Sequence, residues 1–318
     1  MSQTSDSANA SNVAEDDFRN KVEGFAQPTQ LPSDDAQRQS WQAANRAWWE
    51  STPMRYDWRE AVGAEPGTAA YFAEIDARFL GSVRKYLPWK RQPFEQLIDY
   101  DALSALDVLE IGVGQGAHAQ LIASHAKSFT GIDLTVAAST MTARRLSLMG
   151  LPGRVLQMDA EAMTFPDASF DYVWSWGVIH HSADTRRVLT EMRRVLRPGG
   201  RATVMVYHRS WLHFHLGGYL RGVFQGQFKR LGTLHRVSQG ATDGAIARFY
   251  TTQEWRETTA GLFEVEKVRI LGLKAEILPL PRGRLKSAIE ALTPDAVSRL
   301  ITNGMRLGTF LVADMRRV

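Results

Sequence analysis

The stretch Val108-Leu109-Glu110-Ile111-Gly112-Val113-Gly114-Gln115-Gly116 decides the architecture of this chain. A short, mostly apolar run reads as a strand, and glycines at alternate positions follow it before a helical pattern begins. A strand that ends in glycines and opens a helix lets the backbone approach a ligand closely and points free N–H groups at it. Alone the run is ambiguous, because Gly112-x-Gly114-x-x-Ala117 also satisfies the dinucleotide fingerprint.

Beyond that turn, strand and helix patterns alternate. Residues 129–133, 153–158, 171–176 and 201–207 read as strands. Val188, Leu189, Met192, Val195 and Leu196 form one helical stripe, which the spacing ends at Pro198-Gly199-Gly200. Repeated βα units imply a parallel sheet covered by helices on both faces. After Tyr207 the alternation breaks, and residues 264–271 and 309–316 supply two final strands. The expected organisation is a disordered acidic tail (1–38), an N-terminal helical cap (39–103), a Rossmann-like core (104–208), an inserted lid (209–246) and a C-terminal part completing the sheet (247–318). In the cap, Phe72, Ile75, Phe79, Val83 and Tyr86 recur at helical spacing. In the insertion, Leu216, Tyr219, Leu220, Val223, Phe224 and Phe228 fall on one face, while Gly217, Gly218, Gly222 and Gly226 weaken any helix there and suggest a mobile lid.

The 318 residues are 44% hydrophobic and 23% charged, ordinary values for a globular chain. No cysteine is present, which excludes disulfides, thiolate metal sites and cysteine nucleophiles, and fits a reducing cytoplasm. No apolar run of transmembrane length occurs, and the polar, acidic first thirty residues do not read as a secretory signal. Residues 1–40 carry seven acids against three bases, while residues 192–242 contain no acid and nine Arg or Lys. That stretch suits a nucleic acid, an anionic membrane, an acidic substrate or plain solvent.

Later segments narrow the reading. Asp133 closes the second strand, where a carboxylate accepts hydrogen bonds from both ribose hydroxyls of a nucleoside. Met158-Asp159-Ala160-Glu161 follows the third strand, Phe165-Pro166-Asp167-Ala168-Ser169-Phe170-Asp171-Tyr172-Val173 leads into the fourth, and Trp176-Gly177-Val178-Ile179-His180-His181 leaves it. The helix before the fifth strand ends in Glu191-Met192-Arg193-Arg194-Val195-Leu196-Arg197-Pro198-Gly199-Gly200. In this order, across residues 104–207, the set resembles the class I S-adenosylmethionine-dependent methyltransferases with a type 11 methyltransferase domain, a group that includes the ubiquinone- and menaquinone-biosynthesis methyltransferases.

The resemblance implies an α/β fold with a seven-stranded sheet whose last strand, here from Thr309 to Met315, is antiparallel. It implies that Glu110, Gly112, Gly114 and Gly116 line the methionine part of S-adenosylmethionine, that Asp133 binds the ribose with Leu134 beside the adenine, and that Asp159 and Ala160 face the adenine edge. Trp176 and Gly177 would lie near the sulfonium. Tyr56-Asp57 resembles a Tyr-Asp pair upstream of the domain in that group, with Tyr56 closing over the site.

A methyl on a sulfonium is already activated, so a general base is needed only if the acceptor loses a proton. His180 and His181, after the fourth strand, are the candidates, and Tyr207 and His208 are weaker ones. His213 and His215 lack partners for a metal site, so no metal is expected. Trp41, Trp48, Trp49 and Trp58 with the aromatic, basic insertion suggest a small, largely apolar or amphiphilic acceptor carrying an anionic group: a lipid, quinone precursor or polyketide-like metabolite. Peripheral membrane contact is compatible with the same stretch. The alternatives are an NAD(P)-dependent oxidoreductase and an RNA methyltransferase. The first lacks a hydride-transfer constellation and the second any RNA-binding module.

Overall fold

A computed structural model describes residues 25–56, 60–278 and 283–318 of the chain. Seven strands form one sheet: β1 (Asp107–Ile111), β2 (Ser128–Asp133), β3 (Arg154–Gln157), β4 (Phe170–Trp176), β5 (Leu196–Tyr207), β6 (Phe263–Leu271) and β7 (Phe310–Arg317). Their order is β3-β2-β1-β4-β5-β7-β6. The first five are parallel, and β7 runs antiparallel to both β5 and β6. Leu109 and Ile111 of β1 face one core with Val173, Val204 and Leu311. Val108 faces the other core with Trp174, Met205 and Val312. A strand buried on both faces reads as a mostly apolar run and not an alternation, and β1 does so apart from the buried Glu110. The expected sheet is therefore present, with its antiparallel strand lodged between β5 and β6 rather than at an edge.

The helices follow their sequence signals. α1 (Asp35–Ser51) starts at Asp34, whose carboxylate accepts from Gln37 N. α2 (Ala69–Tyr86) is capped by Thr68 and buries Tyr71, Phe72, Ile75, Phe79, Val83 and Tyr86, the expected stripe. α3 (Tyr100–Leu103) leads into β1, α4 (Ala117–Ala123) leaves the glycine turn, and α5 (Val136–Leu148) links β2 to β3. α6 (Thr185–Val195) stops one turn before Pro198, because Leu196 is already extended and pairs with Phe170 at a bulge where β5 enters the sheet. The expected helix end thus lies too late.

The expectation of disorder through residue 38 is corrected from Phe25 onward, while residues 1–24 lie outside the described residues. Phe25 is fully buried, edge-on to Trp41 at 4.8 Å, and packs with Ala183 and Ile246. One aromatic side chain with a slot to fill outweighs the polar average of its surroundings. The clasp that holds it is Arg248, fully buried, its guanidinium over the Phe25 ring at 3.8 Å. Arg248 donates to the carbonyls of Gln30, Ser182 and Ala183.

The insertion is helical: a π-helix (Trp211–Gly217) runs into α7 (Gly218–Phe224), followed by α8 (Gln227–Leu231) and α9 (Leu234–Gly240). Two of its glycines act as close-packing positions. A Cβ at Gly218 would meet Ser238 and Leu234, and one at Gly222 would meet the Phe228 ring. The expected apolar face is also corrected, since Tyr219 (58%), Val223 (48%) and Phe224 (81%) point outward. The chain is completed by α10 (Thr252–Thr259), α11 (Arg284–Leu292) and α12 (Asp295–Arg299).

Removing the clasp strands three carbonyls, two of them in buried hydrogen bonds. Arg248→Ala is expected to lower unfolding free energy by about 3 kcal/mol, because charge-assisted hydrogen bonds are lost without replacement. Urea denaturation measures this, and a loss below about 1 kcal/mol would contradict the clasp.

Candidate active site

The sheet order reverses at β1 and β4, and in open α/β sheets ligands bind at that switch point, outside the carboxyl ends of the strands. A cavity of about 400 Å³ opens there. Its floor is the glycine turn. Gly112, Gly114 and Gly116 all have positive φ, and a Cβ at Gly112 would collide with Val178, so only glycine fits. The turn is held from below by Thr142, which donates to Gly114 O at 2.9 Å, and by the buried Arg145, which donates to Gln115 O at 3.1 Å.

At the tip of β2, Asp133 Oδ1 accepts from Thr135 N and Oγ1 at 3.0 and 2.8 Å, and Oδ2 accepts from Gly114 N at 3.2 Å. Burial raises the Asp133 pKa, and these donors oppose the rise. Leu134 and Thr135 continue the wall, with Met158, Asp159 and Ala160 beside them. Asp159 Oδ1 accepts from Glu161 N and from Gln42 Nε2, both at 2.9 Å. Gln42 also accepts from Ala183 N, so α1 is built into this wall.

Of the expected cofactor residues, Tyr56, Gly112, Gly114, Asp133, Leu134, Asp159, Ala160, Trp176 and Gly177 line one cavity. Gly116 sits behind the turn against Thr142 and Arg145. Glu110 is buried beneath it, with Oε2 unpartnered and Oε1 3.9 Å from His118 Nδ1. Burial and the nearby Asp133 charge raise the Glu110 pKa well above its ordinary value. His118, pushed down to about 3 by burial and then by Arg145, is neutral. The close contact is therefore not an ion pair at neutral pH.

Tyr56 lines the cavity and stacks on Phe79 at 4.9 Å, while Asp57 and Trp58 lie outside the described residues. The two expected bases separate. His181 lines the cavity, and its Nδ1 donates to Ile246 O at 2.6 Å. His180 is fully buried outside the cavity wall, with neither ring nitrogen partnered and its pKa depressed by burial. His213 and Tyr207 also reach the wall, whereas His208 Nδ1 donates to Gly308 O. No cluster of three or more potential metal ligands occurs among the described residues.

Two features were not expected. The acid-free stretch is not acid-free in space: Arg194 pairs with Glu191 and Asp167, Arg197 with Asp107 and Asp171, Arg201 with Glu266, and Arg209 with Glu254. Among the described residues no Lys or Arg lines the cavity, so the expected anionic acceptor group finds no countercharge on its wall. The second feature is Glu276, at the far end beside Tyr86, Tyr207, Thr309 and Phe310, and missed entirely by the sequence reading. Its signal was one acid in the apolar run from Ile270 to Leu278.

The sheet order and the crevice at its switch point define a class: an α/β domain of the class I methyltransferase fold. Residues 109–204 match the Methyltransferase domain family. The phthiotriol/phenolphthiotriol dimycocerosates methyltransferase of Mycobacterium tuberculosis is 39% identical over 100 residues, covering 31% of this chain and 36% of that protein. The matched part thus spans about a third of that relative's length. The demethylmenaquinone methyltransferase of Thermus thermophilus is 29% identical over 48% of this chain and 78% of its own. The structure of geranyl diphosphate C-methyltransferase from Streptomyces coelicolor is similar in fold, with a TM-score of 0.53, 14% identity, and coverage of 91% of this chain and all of that one.

Burial pushes the Glu276 pKa from 4.5 up to about 7. Between those values the unfolded chain has lost the proton that the folded chain keeps, so stability falls as pH rises through this window. Glu276→Gln is expected to leave the melting temperature unchanged near pH 4 and to raise stability by about 2 kcal/mol at pH 8. Thermal unfolding at both pH values checks the sign.

Proposed function

We propose that this chain transfers a methyl group from S-adenosylmethionine to a small amphiphilic acceptor. The observation that carries the reading is Asp133, turned toward the glycine floor of a cavity that runs on, past Trp176 and Gly177, into an aromatic chamber. Asp133 Oδ2 retains one accepting site for a ribose hydroxyl, and Leu134, Met158 and Ala160 make an apolar slot for the adenine. The buried, unpartnered Glu110 Oε2 lies under the turn where the amino-acid part would rest. The residues present thus fit the cofactor, which supplies a methyl group activated by its sulfonium. The chain's own contribution is to orient and to exclude water: Tyr56 on Phe79 closes one side, and the stacked Trp174 and Trp176, 5.5 Å apart, stiffen the other. The named relatives act on a lipid and a quinone precursor, which supports an apolar acceptor here.

Calorimetric titration tests the cofactor. S-adenosylhomocysteine is expected to bind and NADH to give no heat, and the reverse would sink the proposal. Asp133→Ala is expected to weaken S-adenosylhomocysteine by about 1–3 kcal/mol, the value of charge-assisted hydrogen bonds.

Peripheral membrane contact is the finer part of the proposal. Trp211, His215, Tyr219 and Val223 recur every four residues along the outer side of one continuous helical run, with Phe224 beside them. Exposed aromatics of this kind suit a bilayer interface, and no helix of the described residues is long and apolar enough to span one. The same insertion lines the cavity through His213 and Thr242. Co-sedimentation with phosphatidylcholine/phosphatidylglycerol vesicles is expected for the wild type and to fall at least fivefold in Tyr219→Asp/Phe224→Asp.

A further inference from the structure

Glu276 has the placement of a working group rather than a structural one. It ends a short 3-10 turn (Lys274–Glu276) that follows β6, and β7 lies across from it. Thr309 N donates to Oε2 at 3.1 Å, and Thr309 Oγ1 donates to Oε1. Gly272 and Gly308 let the carboxylate sit close to the backbone: a Cβ at Gly272 would meet Oε2, and one at Gly308 would meet Leu271 and Gly272. Thr309 donates to both oxygens and the Leu273 backbone adds a third hydrogen bond, so the carboxylate keeps one accepting site. The side chain is buried yet borders the cavity, among Tyr86, Tyr207 and Phe310. Its charge raises the pKa of both tyrosines, after burial. The opposing cation is Lys286 of α11, which lies within 3.9 Å of Glu290 and does not line the cavity.

The geometry points to Glu276 as the group that receives the hydrogen of the acceptor's nucleophilic atom, so that the acceptor carries an O–H or N–H head on an apolar body. This rests on the methyltransferase reading and deepens it. A buried carboxylate with a spare accepting site is satisfied by a donor and repels an anionic head. The aromatic walls accept an apolar body and a neutral or cationic head alike. In the transfer, the acceptor's heteroatom uses its lone pair to bond the methyl carbon, and its proton passes to the Glu276 carboxylate. The electron pair of the broken carbon–sulfur bond stays on sulfur, so charge and atoms balance. A carboxylate titrating near neutrality suits that task. Acceptors methylated at an acidic, already ionised oxygen fall outside the class.

The test compares 4-octylphenol with 4-octylanisole, its methyl ether, which has the same body but no donor. Calorimetry uses the full chain at pH 8, with and without S-adenosylhomocysteine. The phenol is expected to bind about tenfold tighter than the ether, with octanoate weakest. Glu276→Gln is expected to shrink the phenol-to-ether ratio to about two while leaving S-adenosylhomocysteine affinity unchanged, and Glu276→Asp to restore part of it. n-Octylamine binding tighter than the phenol would assign a nitrogen head, and weaker would assign an oxygen head. Ether as tight as phenol in the wild type, octanoate tightest, or a ratio untouched by Glu276→Gln would overturn the proposal. A wild type that ignores S-adenosylhomocysteine but discriminates phenol from ether would sink only the cofactor reading.

Discussion

The hydrogen bond from Gly114 N–H to Asp133 joins the floor of the crevice to the tip of the neighbouring strand. A glycine turn with three positive-φ residues is floppy in isolation, and each glycine loses more freedom on ordering than any other residue. The turn is fixed because its groups are taken up from three directions: Ile132 O accepts from Gly112 N, Asp133 accepts from Gly114 N, and Thr142 and Arg145 hold the carbonyls. Arg145 also pairs with Asp76 of α2, so the N-terminal helix pins the loop through one fully buried guanidinium. The crevice is accordingly preformed, and its wall extends into chain far from the glycine motif.

What was legible in the sequence was what is local. The turn, Asp133, Asp159 and Trp176 each sit at a strand end, and a strand followed by a helix places its end at the same rim every time. Gln42, Tyr86 and Glu276 were illegible as site residues: Tyr86 reads as one more member of a helical stripe, Glu276 as a lone acid in an apolar run, and Gln42 carries no local signal. Gln42 reaches the cavity because α1 docks on the segment after β3 through Asp159, Tyr86 because α2 packs across the sheet, and Glu276 because the turn after β6 lies against Thr309 just before β7. The two histidines show the limit at single-residue scale: the 3-10 turn Ile179–His181 puts one ring on the wall and buries its neighbour, and no pattern distinguishes them.

The charge asymmetry misled for a related reason. Acids and bases that pair in space are drawn from different segments, so a stretch without acids is not a bare cationic face. Arg194 is held by Glu191 and Asp167, and those partners lift its pKa further. The insertion itself keeps exposed Lys229 and Arg230 beside its exposed aromatic side chains. Gly218 and Gly222, read as weakness, are where helices approach each other closely.

Arg248 has a bearing on how the chain is divided. It binds Gln30 from one end of the sequence and Ser182 and Ala183 from the middle, while itself lying just before α10. A fragment trimmed to the 104–207 core would lose the guanidinium and Phe25 together and leave the loop after β4 without its tether. The recognisable motif and the autonomous folding unit are therefore different objects, and excising the former does not yield the latter.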